Sequence, residues 1–184
     1  KDSLMEGVGI IKSNKIIYTM ISLGTLINFS ISPVFSVGLI YILKEVLKAT
    51  DFQIGLFETV FSLSMILAPI IGTRFIKRMK IGKLCYLSFI LIGIVIFIMS
   101  PIPSKAVLNS FSTSFIPYIF LISTSFSIGV LATIANIALG TIFDQVTPVE
   151  LLGRTSTIFN LAVTIFIPIG QMLFGFLYDI ISPS

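Results

Sequence analysis

Five long apolar stretches, at about residues 15–43, 53–73, 83–100, 114–142 and 156–179, constrain this sequence more than any other feature. A helix needs about 20 residues to cross the hydrocarbon core of a bilayer, which is about 30 Å thick. Because lipid offers the main chain no hydrogen-bond partners, membrane-crossing segments of this kind fold as helices. The sequence therefore predicts an all-α membrane protein, a polytopic bundle of five helices in a single transmembrane region over residues 1–184.

The composition excludes a water-soluble fold. Only 11% of the residues are charged and 55% are hydrophobic, whereas soluble domains carry about 25% charged residues. The chain has one cysteine, Cys85, and no histidine, so it lacks the commonest general base and the commonest transition-metal ligand. We therefore expect no enzyme, no catalytic residues, no cofactor and no metal site.

The basic residues predict which ends of the helices meet the cytoplasm. The segment GTRFIKRMKIGKL (72–84) concentrates five of them between two apolar stretches. The N-terminal arm, this segment and residues 144–155 together hold nine Lys or Arg, whereas the other connections hold three. Positively charged loops remain in the cytoplasm, which explains the basic segment without nucleic-acid binding. The segment is predicted to be a cytoplasmic hairpin between the second and third helices.

Four of the five predicted helices carry polar residues at helical spacing, and the third is almost uniformly apolar. Ser, Thr, Asn and Gly commonly hold membrane helices together. Polar side chains that cannot face lipid can instead line a watery pathway. Both interpretations are open for each residue. The pathway candidates are Asn28, Ser32, Glu58, Ser62, Asn136, Thr164 and Gln171.

Glu58 is the most specific candidate, because it is an ionisable residue inside an apolar stretch. A charge at the centre of the bilayer costs about 2.5–3.5 kcal/mol on insertion scales, so such residues are usually functional. Glu58 would suit reversible protonation. Alternatively, it lies near the outer interface and reaches water, since it is only about 10 Å of helix beyond Asp51.

Four segments carry motifs that resemble those of a known family. They are the arm EGVGIIKSNKIIYTM (6–20), the loop GTRFIKRMKIGK (72–83), the loop TPVELLGRTS (147–156) and the helix PIGQMLFGFLYD (168–179). Together they resemble the C-terminal half, helices seven to eleven, of a major facilitator superfamily (MFS) transporter. The branch they resemble contains bacterial efflux permeases similar to macrolide and enterobactin exporters. In this family the third helix of each set lies outside the central cavity, which agrees with the apolar third stretch.

One departure from the family concerns the basic loop. The family motif begins with a glycine, continues with three variable residues, and then has an acidic residue followed by an arginine. Counted from Gly72, the acidic position is Ile76, and Lys77 takes the basic one. A charge network that closes the cytoplasmic side therefore lacks its acidic member here. The remaining cytoplasmic loop and gate candidates are Arg74, Lys77, Arg78, Asp144 and Arg154.

The resemblance implies a secondary active transporter in a bacterial cytoplasmic membrane, with proton-coupled efflux of a hydrophobic or amphipathic small molecule by alternating access. Its partners would be the substrate, protons, the lipid bilayer, and the N-terminal half and twelfth helix of the same transporter, because the sequence resembles a fragment of a longer protein. No nucleic-acid partner is expected. Two other functions remain open: uptake of a nutrient by the same fold, and a non-transport role as a membrane anchor or assembly subunit.

Overall fold

The protein is almost entirely helical in the part described by the computed structural model, residues 14–76, 78–111 and 113–180, and these residues include no strand. Two π-helical turns, Val34–Gly38 and Ile42–Val46, flank the short helix Leu39–Tyr41, and a 3-10 turn, Val149–Leu151, precedes the helix Leu152–Thr164. The α-helices are α1 (Lys15–Ser30), α2 (Leu39–Tyr41), α3 (Asp51–Ile76), α4 (Ile81–Met99), α5 (Lys105–Asn109), α6 (Phe115–Val146), α7 (Leu152–Thr164) and α8 (Phe166–Ile180).

Five helical spans are long and apolar enough to cross a membrane, as the sequence predicts. They are Lys15–Val46, Asp51–Thr73, Ile81–Met99, Phe115–Val146 and Val149–Tyr178, called here the first to fifth spans. This architecture is compatible with a multi-pass membrane protein. Two of the five spans start at clear caps. The Asn14 side chain accepts hydrogen bonds from the main-chain N–H groups of Ile16 and Ile17, and Thr50 and Gln53 cap the start of α3 reciprocally.

The predicted breaks between helices are too wide at three places. Helix α3 continues to Ile76 and α4 begins at Ile81, so the connection is shorter than the predicted 74–83. Helix α6 continues through Asp144 to Val146, and the fifth span starts at Val149 rather than at 156. Helical structure also extends past residue 43 to Val46. The prediction ended each helix at its first charges, but helices continue through the headgroup region, where charged side chains are solvated.

The chain divides into two compact units. Unit 1 consists of the described residues 14–41 and 143–180, which contain most of the first span and the whole fifth span. The two spans run in the same direction, because residues further along the first span contact residues further along the fifth. At one end the Asn14 amide donates to the Val146 carbonyl. At the other end the Tyr41 and Tyr178 rings stack, with centroids 5.6 Å apart.

Unit 2 is Ile42–Ile142 and contains the second and third spans and most of the fourth. The second and fourth spans are also parallel: the Tyr118 hydroxyl donates to the Gln53 carbonyl at one end, and Gly72 packs against Ile134 at the other. Between these ends, Gly129 of α6 lies directly against Ser64 of α3. Small residues at such contacts let two membrane helices approach closely.

The third span, α4, packs on this pair through one side only. Leu84 joins a buried cluster with Ala68, Val130 and Ile134, and the other buried residues of α4 (Cys85, Ser88, Ile92 and Met99) recur at helical spacing. The remaining residues of α4 are largely exposed apolar side chains. Most of the surface of this uniformly apolar span is therefore left uncovered.

Candidate functional site

Both spans of unit 1 are interrupted near their middle, and a proline accompanies each interruption. In the first span, Pro33 directly precedes the π-helical turn Val34–Gly38. In the fifth span, α7 ends at Thr164 and α8 begins at Phe166, with Pro168 in its first turn. A proline has no N–H for the carbonyl four residues earlier, and its ring crowds that carbonyl. The carbonyls of Phe29 and Thr164 therefore lose their usual helical donors.

Two polar side chains of α1 donate hydrogen bonds to main-chain carbonyls at the end of α7. The Thr25 hydroxyl donates to the Ala162 carbonyl at 3.3 Å, and Asn28 Nδ2 donates to the Val163 carbonyl at 3.0 Å. The last carbonyls of a helix lack partners within that helix, and an unpaired carbonyl in lipid costs several kcal/mol. Asn28, a predicted pathway residue, thus satisfies main-chain oxygen at the interruption of the neighbouring span.

The two interruptions meet each other through a glycine. A Cβ atom added to Gly170 would collide with the Phe29 carbonyl oxygen and lie 2.8 Å from the Pro33 ring. One residue further along, Gln171 Nε2 donates to Ser36 Oγ at 3.1 Å, which links α8 to the π-helical turn. Main chain, glycine and polar side chains therefore converge where both helices are irregular.

Other predicted residues of unit 1 are placed differently. Ser32 is half-buried at the start of the irregular part of the first span. Thr164 is exposed, and its hydroxyl donates to the Asn160 carbonyl of its own helix. Asn160 and Thr164 belong to α7, whereas Gln171 belongs to α8, because the first of these helices ends at Thr164 and the second begins at Phe166.

The candidates in unit 2 form no joint site within that unit. Glu58 and Ser62 are exposed one turn apart on α3, and Asn136 is exposed on α6. The protein atoms of this unit therefore leave Glu58 uncovered. Among the residues that the structure describes, the Glu58 carboxylate has no ion pair. In the same unit, Lys48 forms an ion pair with Glu45 at 3.2 Å. A cavity of about 300 Å³ opens near Lys48, Gln53 and Tyr118, and no predicted pathway residue lines it.

The predicted gate residues are divided between the units. Arg78 is an exposed residue of the connection between α3 and α4, and the main chain of Arg74 belongs to α3. Asp144 in α6 and Arg154 in α7 are exposed residues of unit 1. Lys77 lies outside the described residues.

The sequence-based candidates omit several residues of the unit 1 contacts, among them Ser36, Tyr41 and Tyr178. Ser36 lies four residues after Ser32, so extending the stripe of the first span by one turn would have found it. Tyr41 and Tyr178 gave no such signal. Their contact depends on Gly38, since a Cβ atom there would lie 2.5 Å from the Tyr178 hydroxyl, and the sequence does not say which span faces that glycine.

Comparisons of this chain with protein-family models, with curated proteins and with solved structures find no match.

Proposed function

We propose that this chain forms helices seven to eleven of an MFS transporter in a bacterial cytoplasmic membrane, and that the transporter exports a hydrophobic or amphipathic small molecule in exchange for protons. The observation that carries the proposal is the contact between two interrupted helices in unit 1. Secondary transporters commonly place substrate and coupling-ion sites at the bilayer midplane, where membrane helices are discontinuous. Irregular backbone at membrane depth is tolerated where it is covered by protein or lines a cavity.

The chemistry at the interruptions suits such a site. Asn28 and Gln171 each use a side-chain amide to bridge the first and fifth spans. A substrate with a hydrogen-bonding group can exchange with these contacts at small net cost, since one hydrogen bond replaces another. The residues around the contact are mostly apolar, for example Val163 and Phe29, which favours a substrate with a large apolar part.

The pairing of the spans supports the same proposal. The first and fifth spans are parallel, and so are the second and fourth, as expected when consecutive spans cross the membrane in alternate directions.

Glu58 is proposed as the proton-coupling carboxylate. It lies within the second span, on a surface that unit 2 leaves uncovered. A bare carboxylate facing hydrocarbon is costly, whereas one facing an aqueous pathway can bind and release a proton.

Transport in everted vesicles tests the proposal. The complete gene is expressed in a bacterial strain that lacks its major efflux pumps, and ethidium, Hoechst 33342 and acridine orange serve as probes. We expect uptake of at least one probe when the vesicles are energised, and its release when a protonophore collapses the gradient. Glu58→Gln should abolish the energised uptake, and the matched control Glu45→Gln, at the ion pair with Lys48, should retain it.

Two results would refute parts of this proposal. If energised vesicles that contain the protein match vector controls for every probe, efflux of hydrophobic or amphipathic compounds is excluded. If a probe is moved but Glu58→Gln behaves as wild type across pH, transport stands and Glu58 is not the coupling group.

A further inference from the structure

One face of α3 carries, besides the Glu58 carboxylate, oxygen atoms that the proposed function has not used. Glu58, Ser62, Met65 and Pro69 follow one another at intervals of four, three and four residues, so they lie along one side of the helix. All four are exposed. The buried side of α3 is formed instead by Phe57, Ser64, Ala68 and Gly72, of which the last three pack against α4 or α6.

Ser62 differs from the neighbouring hydroxyl residues of the same helix. Thr59 donates to the Gly55 carbonyl, and Thr73 donates to the Ile70 carbonyl. Within the described part of the chain the Ser62 hydroxyl makes no hydrogen bond, and so it can both donate and accept. In a membrane helix this is the less common state, because a hydroxyl without a partner is costly in lipid.

Pro69 adds a main-chain oxygen to the same face. It lies inside α3, and it has no N–H to offer the Met65 carbonyl one turn earlier. That carbonyl therefore retains accepting capacity, on the side of the helix where Ser62 and Glu58 lie. The face thus presents a carboxylate, a free hydroxyl and a free carbonyl at successive turns.

These groups span about a third of the hydrocarbon core. From Glu58 to Met65 the helix rises about 10 Å, at 1.5 Å per residue, against a core of about 30 Å. The charge distribution predicts that α3 begins at the outer surface, so Glu58 lies in the outer part of the span and the Met65 carbonyl lies past its centre.

We propose that this face of the second span is the path of the coupling proton. The proton enters from the outer side and neutralises Glu58. It leaves through water held by the Ser62 hydroxyl and the Met65 carbonyl, and Glu58 is again an anion. The inference rests on the proposed function and adds Ser62, Met65 and Pro69 to it.

The other titratable groups of unit 2 stand apart from this face. Helix α6 packs Tyr118 on α3, and its hydroxyl is already bonded to the Gln53 carbonyl. Asp51 and Lys48 precede Glu58 at the outer end. The ionisable residues that α4 contributes, Lys83, Cys85 and Tyr86, lie near its start, at the opposite end of the second span. The second span, as described, has two acidic residues: Asp51 lies in its first turn, and Glu58 lies beyond that turn.

Reconstituted protein from the complete gene separates proton coupling from transport itself. Two activities are measured in proteoliposomes with a probe moved by the wild type: uphill accumulation driven by a pH gradient, and counterflow exchange, which needs no net proton movement. Ser62→Ala and Pro69→Ala should each lower driven accumulation about fivefold, the factor for a lost hydrogen bond of ~1 kcal/mol. Pro69→Ala acts by restoring the N–H that pairs with the Met65 carbonyl. Both variants should retain counterflow within a factor of about two, which is about 0.4 kcal/mol.

Thr59→Ala is the matched control, because it removes a hydroxyl from the same helix that is already bonded to its own backbone. It should leave both activities unchanged. If Ser62→Ala and Pro69→Ala keep wild-type accumulation, or lose accumulation and counterflow together, the proton path is wrong and the proposed transport stands. If the wild type accumulates no probe with a pH gradient and shows no counterflow, the proposed function fails and this inference fails with it.

Discussion

Replacing Gly129 with alanine adds one methyl group at the closest contact between α3 and α6. The new Cβ atom would overlap Ser64 Oγ, and it would lie 3.1 Å from Ser64 Cβ and 3.2 Å from Phe61 Cε2. Ser64 is fully buried, and its hydroxyl donates to the Phe61 carbonyl. The hydroxyl must therefore leave this position, or the two helices must separate.

The expected loss of stability follows from those contacts. Overpacking a well-packed interior costs about 1–3 kcal/mol, and losing the Ser64 hydrogen bond adds about 1 kcal/mol. We therefore expect Gly129→Ala to lower the free energy of unfolding by about 2–4 kcal/mol. Much of this loss should disappear in a Ser64→Gly background, since the atoms that collide with the new methyl group are then absent.

Reversible unfolding in mixed detergent micelles, followed by circular dichroism, measures these free energies. Gly140→Ala is the control on the same helix, because a Cβ atom at Gly140 would meet no atom within 4 Å. It should be neutral or slightly stabilising, since alanine favours helix more than glycine does. A Gly129→Ala loss no larger than that of Gly140→Ala, or one that Ser64→Gly leaves unchanged, would refute the close packing of these two helices.

Three further predictions concern the contacts of unit 1 and the orientation of the chain. Gly170→Ala should destabilise the protein by at least about 2 kcal/mol, because the neighbour that must move is main chain and not a flexible side chain; Gly175→Ala, with no atom within 4 Å, is its control in the same unfolding assay. Asn28→Leu should cost about 1–3 kcal/mol in that assay, since the Val163 carbonyl loses its donor, and a neutral result would mean that another group satisfies this carbonyl. A cysteine at Lys80 should react with an impermeant maleimide only after the cells are opened, and labelling of intact cells would invert the predicted orientation.

The sequence alone determined the number of spans, and its basic residues predict the side of each connection. Both depend on quantities that add along the chain: transfer of apolar side chains into lipid, and the cost of moving basic residues across it. These terms need no knowledge of neighbours, which is why the five spans were predicted correctly. The boundaries were less accurate, as at Ile76 and Val146, because helices do not end where hydrophobicity ends. The missing N–H of a proline is a local property as well, and in the structure Pro33 and Pro168 accompany the irregular parts of the first and fifth spans.

Only the tertiary structure decided which spans pair and what each polar side chain does there. Thr25, Asn28 and Ser32 look alike in the sequence. In the structure the first two donate hydrogen bonds to carbonyls of α7, whereas Ser32 lies just before the π-helical turn of the first span. Gly129 and Gly140 are both glycines of α6, but only the first has a side chain from another helix against it. Such differences arise because close packing and hydrogen bonding depend on atoms that are distant in the chain, and the periodicity of a single helix carries no information about them.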